Sequence, residues 1–365
     1  MIVKHSKPMI DEDDVRAVSE VLASGNIAQG EKVEEFENEV ARLVGVKHAV
    51  ACSSGTSALH LALLGLGVGA GHEVIAPSYV CSSPYHATLH AGTVPRVVDV
   101  DLSDMNVCAE TVKQELSPKT KALIVPHSFG MPAELDKLLE LGVPMIEDCA
   151  QALGAEYKGR KVGGFGDLAI FSFYATKMIT TGEGGMVLTD NGEFCSRMRD
   201  ARDCDNKPPV PTKYNYKMTD FQAALGLSQL KKLQGFVERR REIASFYTDR
   251  FSQYGITVPS EPSGRKSVFF RYVILTDELE SVQSRAKERG VMCERPVWKP
   301  LHKSLPGIMC PNSAYVYDHA LSVPLYPSLA EEEIQYVVKS LEAVFGGVNQ
   351  QVRDLTLSPH SVIRK

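Results

Sequence analysis

The chain has 365 residues, with 40 Lys+Arg against 45 Asp+Glu, a formal net charge of −5, 44% hydrophobic and 23% charged residues. This composition supplies a real core and excludes disorder, a collagen-like repeat or a compact disulfide scaffold; at about 100–200 residues per domain it suggests two domains. The mild negative charge argues against nucleic acid as the main partner, and Arg239-Arg240-Arg241, flanked by Glu238 and Glu242, reads as a solvated helix face.

In chain order, the opening MIVKHSKPMIDEDD lacks the apolar centre of a secretory signal. No apolar run approaches the about 18–20 residues of a membrane span; the closest, Leu59–Val68, contains His60 and is rich in glycine. Strands are predicted at His48–Cys52, Glu73–Ala76, Pro95–Asp99, Ala122–Pro126, Val143–Glu147, Leu168–Phe173 and Gly185–Thr189. Most are short runs of Val, Ile, Leu and Phe, as suits strands covered on both faces. Helical patterns alternate with them at Lys32–Leu43, Thr56–Leu66 and Ala133–Leu141, the mark of an α/β layer architecture. A long helix opens at Thr219 with the capping box Thr219-x-x-Gln222 and runs to about Phe251, with Gly226 and Gly235 as weak points. Beyond it a strand (Val268–Leu275), a helix (Glu278–Arg289), a Pro-rich loop (Arg295–Pro311) and a last helix (Ala330–Phe345) describe a smaller second domain. A polar tail follows. The eight cysteines are scattered without a Cys-x-x-Cys pair, which suits free thiols in a reducing cytoplasm and no metal site.

In open α/β sheets ligands bind outside the carboxyl ends of the strands, and three predicted strand ends carry unusual residues. Ser53-Ser54-Gly55-Thr56-Ser57-Ala58-Leu59 opens a helix, where free N–H groups can bind phosphate or the hydroxyls can simply cap. Glu147-Asp148-Cys149-Ala150-Gln151 brings two carboxylates to the site edge, as a metal ligand, a base, or a partner for a cationic cofactor. Lys177 follows the strand Leu168–Phe173 among apolar and hydroxyl residues; partial desolvation lowers a lysine pKa and makes it a Schiff-base nucleophile. Phosphate cradle, strand-end aspartate and loop lysine together describe a pyridoxal phosphate site.

With these motifs in order, and with Phe171-Ser172-Phe173, Thr180-Thr181-Gly182-Glu183-Gly184-Gly185, Tyr214-Asn215-Tyr216-Lys217-Met218 and Pro300-Leu301-His302, the chain resembles the DegT/DnrJ/StrS-type sugar aminotransferases from about Pro8 to Phe345. These are pyridoxal phosphate enzymes of the aspartate aminotransferase-like fold, fold-type I. The resemblance implies a three-layer α/β large domain (1–245) with a mixed, mainly parallel seven-stranded sheet. A smaller α+β domain (246–347) and the polar tail (348–365) complete it. By the same resemblance Lys177 holds the cofactor's aldehyde and shuttles the proton, Asp148 pairs with the ring nitrogen, and Gln151 borders the ring oxygen. Gly55, Thr56 and Ser172 hold the phosphate, and Asn215 reaches a partner's phosphate across a homodimer interface. His127 falls near the cofactor or is a structural histidine.

The implied reaction moves an amino group from an amino acid, glutamate foremost, to a nucleotide-linked keto-sugar in polysaccharide biosynthesis. A sugar dehydratase would carry histidine in place of Lys177, and a regulatory member would have no need of Lys177 and Asp148. Three positions depart from the pattern. Cys81 stands where the family usually stacks a planar ring, with Tyr79, Tyr85 and His86 nearby. Thr176 replaces an Asn, and Lys217 replaces an Arg, losing a bidentate donor. Arg271 and Lys299 read as surface charges that could also contact acidic groups.

Overall fold

Short apolar segments buried on both faces build the centre of the molecule. A computed structural model describes residues 1–205, 207–208, 210–254 and 256–356, with backbone alone for 347–356. The first part runs α1 (Glu12–Ser24), α2 (Glu31–Val44), β1 (His48–Cys52), α3 (Gly55–Gly65), β2 (Glu73–Pro77), α4 (Ser83–His90), β3 (Val94–Val98), α5 (Ala109–Glu115), β4 (Thr120–Pro126), α6 (Leu135–Leu139), β5 (Met145–Asp148), β6 (Glu156–Tyr157), β7 (Arg160–Lys161), β8 (Leu168–Ser172), β9 (Gly185–Thr189), α7 (Gly192–Arg202) and α8 (Asp220–Phe251). Then come β10 (Arg265–Lys266), β11 (Tyr272–Leu275), α9 (Leu279–Glu288), α10 (Pro311–His319), β12 (Ala320–Val323) and α11 (Glu331–Thr356).

Seven strands form one sheet in the order β1-β9-β8-β5-β4-β2-β3. Only β9 runs against the others, pairing antiparallel with both β1 and β8. The sheet is therefore mixed and mainly parallel. Alternation along the strands sorts the core into two layers. Ala49, Ala51, Leu123, Val125, Ala169 and Phe171 face α2 and α8, whereas Val50, Ala122, Ile124, Ile146 and Ile170 face α3 and α7. Helices on both faces of the sheet make three layers of an α/β architecture.

Gly226 is not a weak point of α8. A Cβ there would come within 2.6 Å of the Phe36 ring, so the glycine lets α2 and α8 close on each other. The 32-residue α8 also spans the expected boundary at residue 245: Ala223, Leu227 and Leu233 pack in the sheet-side core, Ile243, Tyr247 and Phe251 in a second one. That second core gathers β11, β12, α9 and α11 together with Val3 from the start of the chain. Val3 N–H donates to the Gly290 carbonyl at 2.8 Å and Met292 N–H to that of Val3 at 3.0 Å.

The strand predicted from Val268 begins at Tyr272, because Phe269 holds a φ of 46° that breaks the extended run. The last helix continues to Thr356, into the segment expected as tail, and 357–365 lie outside the described residues.

Candidate active site

Neighbouring parallel strands deliver three side chains to one edge of the sheet. Pro126 on β4 is in register with Asp148 on β5, which pairs in turn with Ile170 on β8, so His127, Asp148 and Ser172 arrive side by side. A cavity of about 490 Å³ opens there, lined by Tyr79, Cys81, Tyr85, His127, Phe129, Asp148, Gln151, Lys177 and residues of the Pro296–Leu305 loop.

Asp148 is buried, and the one hydrogen bond to its carboxylate among the described residues comes from Ala150 N–H at 3.1 Å. Burial raises its pKa, against the Ala150 hydrogen bond and the charges of Lys177 and His127. Lys177 sits in the turn after β8, its own N–H donating to the Tyr174 carbonyl at 2.9 Å. Its ammonium lies 5.2 Å from the centre of the Phe270 ring, and burial lowers its pKa, with Arg271 adding to the shift and Cys81 and Asp148 opposing it. A carboxyl pushed up and an amine pushed down in one cavity form the arrangement that proton-transfer chemistry needs.

The start of α3 meets the same sheet edge at Ser172, although Gly55, Thr56 and Ser172 do not themselves line the cavity. Ser54 caps the helix through the Ser57 N–H, and Ser57 reciprocates at the Ser54 N–H, but the N–H groups of Gly55 and Thr56 meet no acceptor among the described residues. A Cβ on Gly55 would come within 2.9 Å of the Ser172 side chain, so this glycine brings the helix end against the Ser172 hydroxyl. Two free N–H groups, a hydroxyl and the positive end of a helix dipole suit a phosphate. Thr56 donates to the Ser83 hydroxyl at 3.0 Å, joining this corner to the loop that carries Cys81.

Of the other residues singled out in the sequence, Gln151 lines the cavity with its carbonyl oxygen taken by Phe129 N–H at 2.8 Å, leaving its amide N–H groups to a ligand. His127 is structural in its contacts: its Nδ1 accepts from Ala133 N–H at 3.1 Å, which leaves the proton on Nε2 to donate to Glu147 at 3.2 Å. Glu147, His127 and Cys149 bring ligand atoms within 4.8 Å of one another. However, Glu147 also accepts from the N–H groups of Gly163, Phe165 and Gly166, and burial keeps the Cys149 thiol protonated; the trio is saturated as it stands. Cys81 is exposed at the cavity, Tyr85 and His86 meet edge to face beside it, and Tyr79 is tucked against Phe129. Asn215 is exposed and does not line the cavity; Tyr214 and Tyr216 on either side turn inward and stack on each other near His60, and the Tyr216 carbonyl accepts from Ser53 N–H at 2.8 Å. Arg271 is not a surface charge: it is half-buried and donates to His5. Sequence reasoning missed Phe270 over Lys177 and Phe129, whose φ of 58° no local pattern announces; Trp298, the only tryptophan, was visible in the composition.

Fold and site together define an aminotransferase that uses pyridoxal phosphate. Residues 8–342 match the DegT/DnrJ/EryC1/StrS aminotransferase family, and the chain belongs to it. It is 33% identical to the spore coat polysaccharide biosynthesis protein SpsC of Bacillus subtilis, over 94% of this chain and 97% of that one. It is also 33% identical to the GDP-perosamine synthase of Caulobacter vibrioides, over 92% and 96%. Among solved structures, the aminotransferase TlmJ from Streptoalloteichus hindustanus superposes with a TM-score of 0.91 at 30% identity, covering 95% of this chain and all of that one. Members of this family depend on pyridoxal phosphate.

Proposed function

We propose that this enzyme transfers an amino group from glutamate to a keto-sugar carried on a nucleotide. The observation that carries the reading is the meeting of Lys177 and Asp148 in one cavity with opposed pKa shifts. The kinship with a GDP-perosamine synthase supports a nucleotide-linked sugar as the acceptor.

When bound, pyridoxal phosphate supplies an aldehyde that takes up amines and a ring that withdraws electrons from the adjoining carbon. The residues present fit that group. The Gly55 and Thr56 N–H groups and the Ser172 hydroxyl hold the phosphate. Asp148 offers a poorly paired carboxylate to a protonated ring nitrogen, and its negative charge keeps that proton in place. The Gln151 amide N–H groups would be free to donate to the ring's oxygen. Lys177 would hold the aldehyde, and once freed by the donor amine its Nζ would take the proton from the donor Cα and, in the return half, deliver one to the sugar carbon. Burial suits it to this, since a lysine with a lowered pKa is more often the free base.

Asn215, exposed and not among the residues that line its own cavity, is assigned by the family resemblance to the phosphate site of a second copy, so that the working unit is a homodimer. Eight unpaired thiols, five of them buried, support a cytoplasmic setting. No helix among the described residues is long and apolar enough to cross a membrane.

The test is spectroscopic. Glutamate added to the pyridoxal phosphate-loaded enzyme should convert the cofactor's aldehyde absorbance to that of its amine form, and a nucleotide-linked keto-sugar should restore it. Spectra unmoved by glutamate and by a panel of other amino acids would overturn the reading.

A further inference from the structure

The loop Arg295-Pro296-Val297-Trp298-Lys299-Pro300 is held at both ends. Before it, Glu294 and Ser322 exchange backbone hydrogen bonds of 3.1 and 2.8 Å. After it, Leu301 N–H donates to the Ser78 carbonyl at 2.9 Å, His302 N–H to the Ser78 hydroxyl at 3.1 Å, and His302 Nδ1 lies 2.6 Å from that hydroxyl. Val297 and Leu301 are buried on either side. Between them Trp298 is 87% exposed, at the rim of the cavity that holds Lys177 and Asp148.

A loop this firmly tied could turn its largest apolar ring inward, where burying about 150–250 Å² would be favourable. It presents the ring to solvent instead. The adjoining charges are ordered in the same sense. Arg295 pairs with Glu280 at 3.3 Å and Lys303 with Asp318 at 3.4 Å, whereas Lys299 meets no carboxylate among the described residues. Of the cavity's lining residues Asp148 is the one carboxylate, and it lies at the floor; Lys299 and His86 are exposed.

Size supplies the remaining constraint. Pockets of about 300–1,000 Å³ enclose a drug-sized molecule, so 490 Å³ suits the cofactor ring with one sugar and little more. Whatever is attached to that sugar must leave across the rim.

We propose that Trp298 and Lys299 form the nucleotide subsite of this enzyme, the indole stacking on the base and the ammonium pairing with the diphosphate. A base presents a flat π-face whatever its identity, and stacking on an aromatic side chain is the way proteins hold one without reading its edge. The subsite rests on the nucleotide-sugar reading above and adds the residues that grip the carrier.

The single tryptophan makes the test direct. Full-length, pyridoxal phosphate-loaded enzyme is excited at the tryptophan band and titrated with UDP, GDP and dTDP, with inorganic pyrophosphate as control. Saturable quenching by the nucleoside diphosphates, absent with pyrophosphate, is the expected result. Lys299→Ala should weaken that binding about tenfold. Trp298→Ala should raise KM for the nucleotide-linked sugar about tenfold, without a matching slowing of the glutamate-driven spectral change. Fluorescence indifferent to all three nucleotides, or sensitive only to protein concentration as in a contact between copies, would overturn the proposal. Such a result would leave the glutamate-driven conversion untouched, so the subsite and the transaminase reading fail separately.

Discussion

Glu147 and Asp148 are consecutive on β5, and their carboxylates lie on opposite faces of the sheet. Glu147 accepts hydrogen bonds from His127 and from the N–H groups of Gly163, Phe165 and Gly166, at 2.7–3.2 Å. Asp148 faces the cavity with one hydrogen bond, from Ala150. One carboxylate is spent on the scaffold and the other is left for a ligand.

Glu147→Ala leaves four buried donors without an acceptor. Breaking a buried charged network by removing one partner costs about 3–5 kcal/mol, so urea unfolding should shift to a markedly lower midpoint. Glu147→Gln keeps one acceptor oxygen and should lose less.

Acid stability should fall in two stages. Burial and the neighbouring His90 push His60 down from 6.5 to about 4. A group depressed in the folded state contributes stability above its unfolded pKa, and that contribution drains away as pH falls from about 6.5 to 4. For Glu147, burial works to raise the carboxyl, but His127 and the backbone donors hold it below its ordinary 4.5, so its contribution is lost below that pH. His60→Gln should flatten the upper limb of a pH–stability curve and Glu147→Gln the lower one. A curve unchanged by His60→Gln would count against the first assignment.

Removing the proton carrier should cost far more than binding. Lys177→Ala is expected to lower the transamination rate by about 10²–10⁴-fold, and Asp148→Asn to slow both half-reactions while the protein stays folded by circular dichroism. An enzyme lacking Lys177 that turned over at the wild-type rate would disprove the mechanism.

Alkylation should discriminate among the thiols. Cys81 and Cys204 are exposed, and Cys52, Cys149, Cys195, Cys293 and Cys310 are buried. Mass spectrometry after brief iodoacetamide treatment should find label on the first two. Pyridoxal phosphate should protect Cys81, which lines the cavity, and leave Cys204 reactive.

Gly226→Ala drives a methyl group into the Phe36 ring. Overpacking of this kind costs about 1–3 kcal/mol, and the pair should be coupled: with Phe36→Leu in the background the same alanine should cost less.

The sheet was legible because strands covered on both faces are nearly all apolar; β1 and β9 match their predicted ends. The helix α10 and strand β12 escaped notice, since Pro311–His319 is mixed in polarity and Ala320–Val323 is only four residues long. Of the candidate site, the sequence singled out the residues whose type has a rare job, and two of them, the lysine after a buried strand and the aspartate at a strand end, meet in the cavity. The site was opaque where burial depends on distant contacts. Arg271 looks like any surface cation in the sequence and is drawn in, half-buried, by His5 and the Phe270 ring. Phe270 comes to Lys177 from nearly a hundred residues away, and no local pattern carries that meeting.

Val3 is tied to Gly290 and Met292, and His5 to Ser322 at 2.9 Å. During synthesis, then, Val3 and His5 emerge long before the partners they pair with. The sheet and its helices can assemble while Val3 and His5 hang free, and the second core closes only after residue 322 has left the exit tunnel. A chain stalled before that point would carry a finished cofactor-side sheet and an open seam where Val3 and His5 belong.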